Sequence, residues 1–280
     1  MPRRTPRPLA ELDLVDFVAQ GSDFAFEMAS LSILRSLSLE TEHAGSYVDP
    51  VTNRIRSYDI RARWFGTNRS VRFAIECKNL KNTAPLMIHA TPRLESETYH
   101  SVVVRERVAG MLFQKSVKRH NVYRIGEPVG RQTDQPTKDD TGEFKSSDAP
   151  TYEKWLQAVN GCLDLLKETV ANPVKQAEAC ALIPLLVIPA GTLWQVDYDE
   201  NGDTMQPVRQ VERSTHILRH KWAAAASHGP VTYDISHLEM VTLPALRQRV
   251  TNLVGSGGLL ADAEQLFRHT VSSEIDGHAG

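Results

Sequence analysis

The order of patterned segments predicts a mixed α/β protein: one mixed β-sheet flanked by helices, with further elements added towards the C-terminus. Three observations carry this. Two runs of polar–apolar alternation, 58–64 and 71–78, stand among runs with apolar residues at helical spacing, 24–31 and 152–170. An apolar block at 182–188 reads as a strand buried on both faces. With 280 residues and a 41% hydrophobic share, the chain can bury enough surface to need no disulfide or metal staple.

Residues 1–8, rich in Pro and Arg, read as an arm ahead of a single domain over 9–280. A short helix over Leu9–Gln20 stops at Gly21, and Ser22 or Asp23 can cap a second running to about Leu37. On that helix Phe24, Met28 and Leu31 form the expected apolar stripe, and Glu27 shares a face with Leu31 and Leu34. A strand over Ser46–Val48 leads through the turn Asp49-Pro50-Val51-Thr52-Asn53 to a hairpin, Tyr58–Trp64 and Val71–Lys78, closed by Gly66-Thr67-Asn68-Arg69. Pro85–Ala90 is a candidate strand and Tyr99–Lys118 a candidate helix. Residues 127–149 read as a polar loop or linker, and Tyr152–Val170 as a helix with Trp155, Val159, Cys162 and Leu166 on one side. The 182–188 strand is entered at Pro184. Leu193–Tyr198 and Gln206–Val211 make a second hairpin, and Leu238–Thr242 a last strand before a helix that Pro244 can start.

The near-neutral total, 32 Lys+Arg against 34 Asp+Glu, excludes a protein that coats nucleic acid by bulk charge. It hides an asymmetry: residues 1–131 carry 20 basic and 14 acidic side chains, residues 132–280 carry 12 and 20. Cys77, Cys162 and Cys180 form neither a disulfide framework nor a zinc pattern. No apolar run approaches the roughly 18 residues of a membrane span, and carboxylates follow the basic N-terminus where a signal peptide needs an apolar block. A cytoplasmic protein with no membrane partner is expected.

The chemistry concentrates on the first hairpin. With Thr67 and Asn68 at its centre, facing residues have numbers summing to 135, which sets Asp59 opposite Glu76 on the polar face, with Lys78 two residues on. Like charges facing across strands repel, and a divalent cation between them removes the penalty. Oxygen ligands at that spacing suit Mg²⁺ or Mn²⁺, and a neighbouring lysine can hold an attacking water and offset developing charge. The simpler alternative is an exposed face on which Asp59, Glu76 and Lys78 make salt bridges.

Asp59 followed by Glu76-Cys77-Lys78 at the end of an apolar strand resembles the D…ExK core of the PD-(D/E)XK nuclease superfamily, whose members have a restriction-endonuclease-like fold. Glu27 is similar to the superfamily's upstream helix glutamate, and 48–60 resembles its strand–turn–strand lead-in. The resemblance covers about residues 20–90; Ser57-Tyr58 stands where the superfamily's name has a proline. It implies that Asp59, Glu76 and the Cys77 backbone carbonyl bind Mg²⁺ or Mn²⁺, that Lys78 positions water, and that Glu27 serves a second metal or an outer water. The implied activity is hydrolysis of DNA phosphodiesters, in phage defence or DNA processing, with an RNA-directed nuclease the less favoured reading; a homodimer or larger complex fits such roles. Arg54, Arg56, Arg61, Arg63 and Lys81 are expected to contact phosphates; with Arg69 and Arg72 they crowd around the site, and Arg105, Arg107, Lys115, Lys118 and Arg119 extend the basic stretch. The reading from another class is a non-catalytic nucleic-acid-binding or scaffold protein of the same fold.

Other motifs are set aside. Glu143-Phe144-Lys145 repeats ExK in polar surroundings. Asp197–Asp203 opens like a calcium loop but has Val208 at the twelfth position, so Asn201-Gly202 is a hairpin turn. Gly255–Gly258 lacks the Lys-Ser/Thr of a phosphate-binding loop, and His216, His220 and His228 lack the partners of a zinc site.

Overall fold

The computed structural model describes residues 8–49, 52–105, 112–147, 149–171, 178–226, 229–263 and 265–266. In chain order the elements are α1 (Glu11–Gly21), α2 (Phe24–Ser36), β1 (Glu40–Val48), β2 (Ile55–Gly66), β3 (Arg69–Cys77) and β4 (Leu86–Pro92). A 3-10 turn (Glu95–Glu97) precedes β5 (Tyr99–Arg105), β6 (Leu112–Lys118), β7 (Pro128–Asp134), β8 (Pro136–Lys138) and β9 (Phe144–Ser146). Then come α3 (Ala149–Ala171), β10 (Glu178–Ile188), β11 (Leu193–Asp197), β12 (Arg209–Gln210), β13 (Arg213–Ala226), β14 (Gly229–Thr242) and α4 (Leu243–Val254).

The mixed α/β class is as expected. Among the described residues, twelve strands form one mixed sheet, ordered β1-β2-β3-β10-β14-β13-β7-β4-β11-β12, with β5 joining β10 and β6 joining β5. The meander β1-β2-β3 is antiparallel, and after α3 the chain returns along β10, parallel to β3. Odd-numbered residues of β3 (Val71, Phe73, Ile75, Cys77) pack with Leu31 and Leu34 of α2. Ala74, on the other face, packs with Val159, Cys162 and Leu166 of α3. The central hairpin is therefore covered on both sides, and its polar face lies under a helix. No described helix is long and apolar enough to cross a membrane.

Pro184 lies inside β10 rather than at its start. β3 flanks one edge of β10 throughout, but on the other edge β5 pairs with 178–181 and β14 with 185–188. The missing N–H thus falls where one neighbour gives way to the next, a position that tolerates proline within a sheet.

Three further expectations change. Tyr99–Lys118 is the β5–β6 hairpin, not a helix; Val102, Val103 and Val104 are all fully buried, so no alternation shows, and their β-branched side chains favour the strand. Arg107 and the rest of 106–111 lie outside the described residues. Residues 127–149 are not a linker: β7 pairs with β4 and β13, Val129 is fully buried, and a Cβ on Gly130 would come within 2.8 Å of Ile88. The α2 stripe is shifted, with Phe24 and Met28 exposed and Ser30, Leu31 and Leu34 buried. The N-terminal arm, apart from Pro8, and His228 fall outside the described residues.

Candidate active site

The hairpin register is the expected one: Gly66 faces Arg69 and Ile60 faces Ile75, each pair summing to 135, and Asn68 takes the positive φ (56°) that such a tight turn requires. Asp59 and Glu76 follow next in that register, and both are buried. The Cys77 N–H donates to Asp59 Oδ2 at 2.8 Å, fixing the carboxylate beside the strand end.

The cation between the two carboxylates comes from a residue that hairpin reasoning does not reach. Lys154, on the first turns of α3, donates from Nζ to Asp59 Oδ1 (3.1 Å), Asp59 Oδ2 (2.9 Å) and Glu76 Oε2 (3.1 Å). Its side chain is 22% exposed, against 11% for Asp59 and 2% for Glu76, so the ammonium forms the solvent side of the site. Burial, and then the neighbouring Asp59 charge, push the Glu76 carboxyl up to about 8, against the pull of Lys154. The lysine, for its part, is held charged by the two carboxylates in spite of burial. Tyr47, buried beside the pair, is pushed well above the usual phenol range by burial and by Asp49 and Glu76.

Helix α3 reaches this depth because Gly161 lets it approach the sheet: a Cβ there would stand 3.1 Å from that of Ala74. Lys154 shares the inward stripe of Ala158, Gly161 and Leu165 at spacings of four, three and four, and a charged residue in phase with small and apolar inner positions is the feature that could have revealed it. The same helix binds the rest of the hairpin's polar face. Asn160 donates to Asp49 Oδ2 (2.9 Å), Asp164 accepts from Arg61 (2.5 Å), and Glu168 accepts from Arg63 (3.0 Å).

The other expected site residues are distributed as follows. Lys78 turns to the α2 side, its Nζ 3.6 Å from Asp23 Oδ2, and makes no contact with the pair. Once β3 ends at Cys77, the lysine is no longer held to strand alternation. Glu27 lies on α2, whose buried row faces the odd-numbered side of β3, and pairs with His43 at 3.1 Å. It does not join Asp59 and Glu76. Arg61 and Arg63 are neutralised by α3 and are not presented to a polyanion. Much of the wider basic stretch is also engaged: Arg69 and Arg119 bond backbone carbonyls, Lys118 pairs with Glu95, and Arg105 with Glu178. Arg54, Arg56 and Lys81 are exposed, with no ion pair among the described residues, and they flank the start of β2 and the end of β3, where the carboxylates sit.

The donor set fits a hard divalent cation. Mg²⁺ is commonly held by one or two carboxylates together with waters instead of a full protein cage, and the ammonium marks where the two carboxylates favour positive charge. No group of three or more His, Cys, Asp or Glu residues placed to hold a metal occurs among the described residues. No family model, curated protein or solved structure matches the chain.

Proposed function

We propose that the chain is a Mg²⁺- or Mn²⁺-dependent nuclease of restriction-endonuclease-like fold that hydrolyses DNA phosphodiesters, acting in the cytoplasm in defence or DNA processing. The observation that carries the reading is the buried Asp59–Glu76 pair with an ammonium between its oxygens and a Glu76 carboxyl pushed up to about 8. Burial and the facing Asp59 charge both disfavour a second negative charge here, and a divalent cation bound between the carboxylates would relieve that repulsion more than a single ammonium does. The metal would supply Lewis acidity and an activated water.

Asp59, Glu76 and the Cys77 carbonyl are the proposed ligands. Lys154, displaced from between the carboxylates but still beside them, takes the role of orienting water and offsetting charge on the phosphate; Lys78 and Glu27 stand outside the site. Arg54, Arg56 and Lys81 are the proposed phosphate contacts, each contributing affinity and salt dependence without sequence preference.

The test is to incubate the purified chain with plasmid, single-stranded DNA and RNA, each with Mg²⁺, Mn²⁺ or EDTA. Metal-dependent cleavage of DNA, abolished by EDTA and by Glu76→Gln, is the expected result. Cleavage that persists in EDTA contradicts the mechanism. Binding without cleavage of any substrate assigns the chain to the scaffold class, which the lysine-filled site and the helix-neutralised Arg61 and Arg63 favour.

A further inference from the structure

A second site, rich in arginine, lies away from the carboxylate pair. Helix α4, which packs against α2, the segment 121–128 and strands β12 and β13 enclose three hollows of about 480, 430 and 250 Å³. All three share Arg213, and the two larger also share Arg249 and Asn252, so they form one cleft. The two larger volumes are in the range of small-ligand sites.

Five arginines line the cleft: Arg93, Arg124, Arg209, Arg213 and Arg249. Its acidic lining is Glu127 and Glu212. Arg249 is neutralised by a bidentate bond to Glu239 (2.6 and 2.8 Å), Arg209 pairs with Asp197 at 2.6 Å, and Arg124 approaches Glu127 at 3.9 Å. Arg213 is exposed and makes no ion pair among the described residues.

Arg93 is the informative residue. It is only 3% exposed, yet its Nη1 donates to neutral groups alone, the Glu97 carbonyl (3.2 Å) and His237 Nε2 (2.7 Å). Its Nε is buried without a hydrogen-bond partner, and so is Arg209 Nη1 on the same hollow. Arg93 and Arg209 both border this hollow, and each guanidinium carries one buried nitrogen without a partner, a desolvation cost that the charge of a neighbouring oxyanion would offset. Guanidinium forks match phosphate geometry. The remaining lining supplies amides (Asn121, Gln248, Asn252) but no aromatic ring on which a nucleobase could stack.

We propose that this cleft binds a small anion carrying two or more phosphate groups, held between Arg93, Arg209 and Arg213. Inorganic polyphosphate and sugar bisphosphates share this chemistry. The site goes beyond the nuclease reading and does not depend on it.

Calorimetric titration of the full chain with sodium tripolyphosphate, and separately with fructose 1,6-bisphosphate, tests the proposal in metal-free buffer. Saturable binding of at least one probe is expected, weakened about tenfold by Arg213→Gln, the scale of one charge-assisted hydrogen bond. The tighter probe identifies the source of the phosphate. Arg213 is exposed, so the variant should fold, and Lys167→Gln, which removes an exposed cation outside the cleft, should leave binding unchanged. No saturable binding of either probe overturns the proposal, as does equal weakening by Lys167→Gln and Arg213→Gln. A short single-stranded oligonucleotide that binds more tightly than both probes, and loses affinity with Arg213→Gln, overturns the small-ligand assignment in favour of nucleic acid.

Discussion

Replacing Lys154 with methionine is expected to destabilise the folded chain by about 3–5 kcal/mol near pH 8, because it leaves two buried carboxylates without their cation. The loss should depend on pH. Glu76 is pushed up to about 8 in the folded state from an ordinary value of 4.5, so the folded chain holds a proton that the unfolded chain has released. Folded stability from this group is therefore fully present below pH 4.5 and is lost as pH rises towards about 8. Without Lys154, whose charge opposes that rise, Glu76 should keep its proton to still higher pH, and the gap between variant and wild type should widen as pH increases. Urea denaturation of both proteins from pH 5 to pH 9 measures this directly. A gap that does not change with pH would mean that the ammonium is not the counter-charge of the pair.

The second large effect is on catalysis and separates two lysines. Under the proposed nuclease reading, Lys154→Ala should lower DNA cleavage by about 10²–10³-fold, the usual cost of removing one preorganised group that stabilises transition-state charge. Lys78→Ala should change cleavage by no more than a few-fold, since Lys78 is bound to Asp23 on the other side of the sheet. Rates taken near pH 6, where the Lys154 variant is more stable, separate lost chemistry from lost fold. The reverse pattern, with Lys78 essential and Lys154 dispensable, would restore the role implied by the family resemblance.

The contrast between these lysines shows what the sequence made legible. The hairpin could be counted residue by residue, because a two-residue turn fixes the register and period-two alternation fixes the face. That reasoning set Asp59 beside Glu76 and failed for Lys78, which lies one residue past the strand. Lys154 is 78 residues beyond Glu76 in sequence (154 less 76), and only the packing of α3, allowed by Gly161, brings it there. The same helix turned Arg61 and Arg63 from expected phosphate contacts into ion pairs. Charge counts along the chain record how many cations are present but not which of them already have partners.

The misread elements have physical causes too. Val102 to Val104 are buried on both faces and show neither period, so spacing could not distinguish strand from helix. The Gly, Pro and Thr content of 127–149 suggested a loop, yet Gly130 is small because β7 runs close to Ile88 and His216. Composition marked the close approach and was mistaken for freedom.

The claim on which the functional reading stands is that the Asp59–Glu76 pair exchanges the Lys154 ammonium for a divalent cation. Titration of the wild-type chain with Mn²⁺, followed by electron paramagnetic resonance, tests it most directly. The expected result is a bound Mn²⁺ that competes with Mg²⁺, is lost in Asp59→Asn and binds more tightly in Lys154→Met. Mn²⁺ binding that is absent in the wild type, or unchanged in Asp59→Asn, would contradict it.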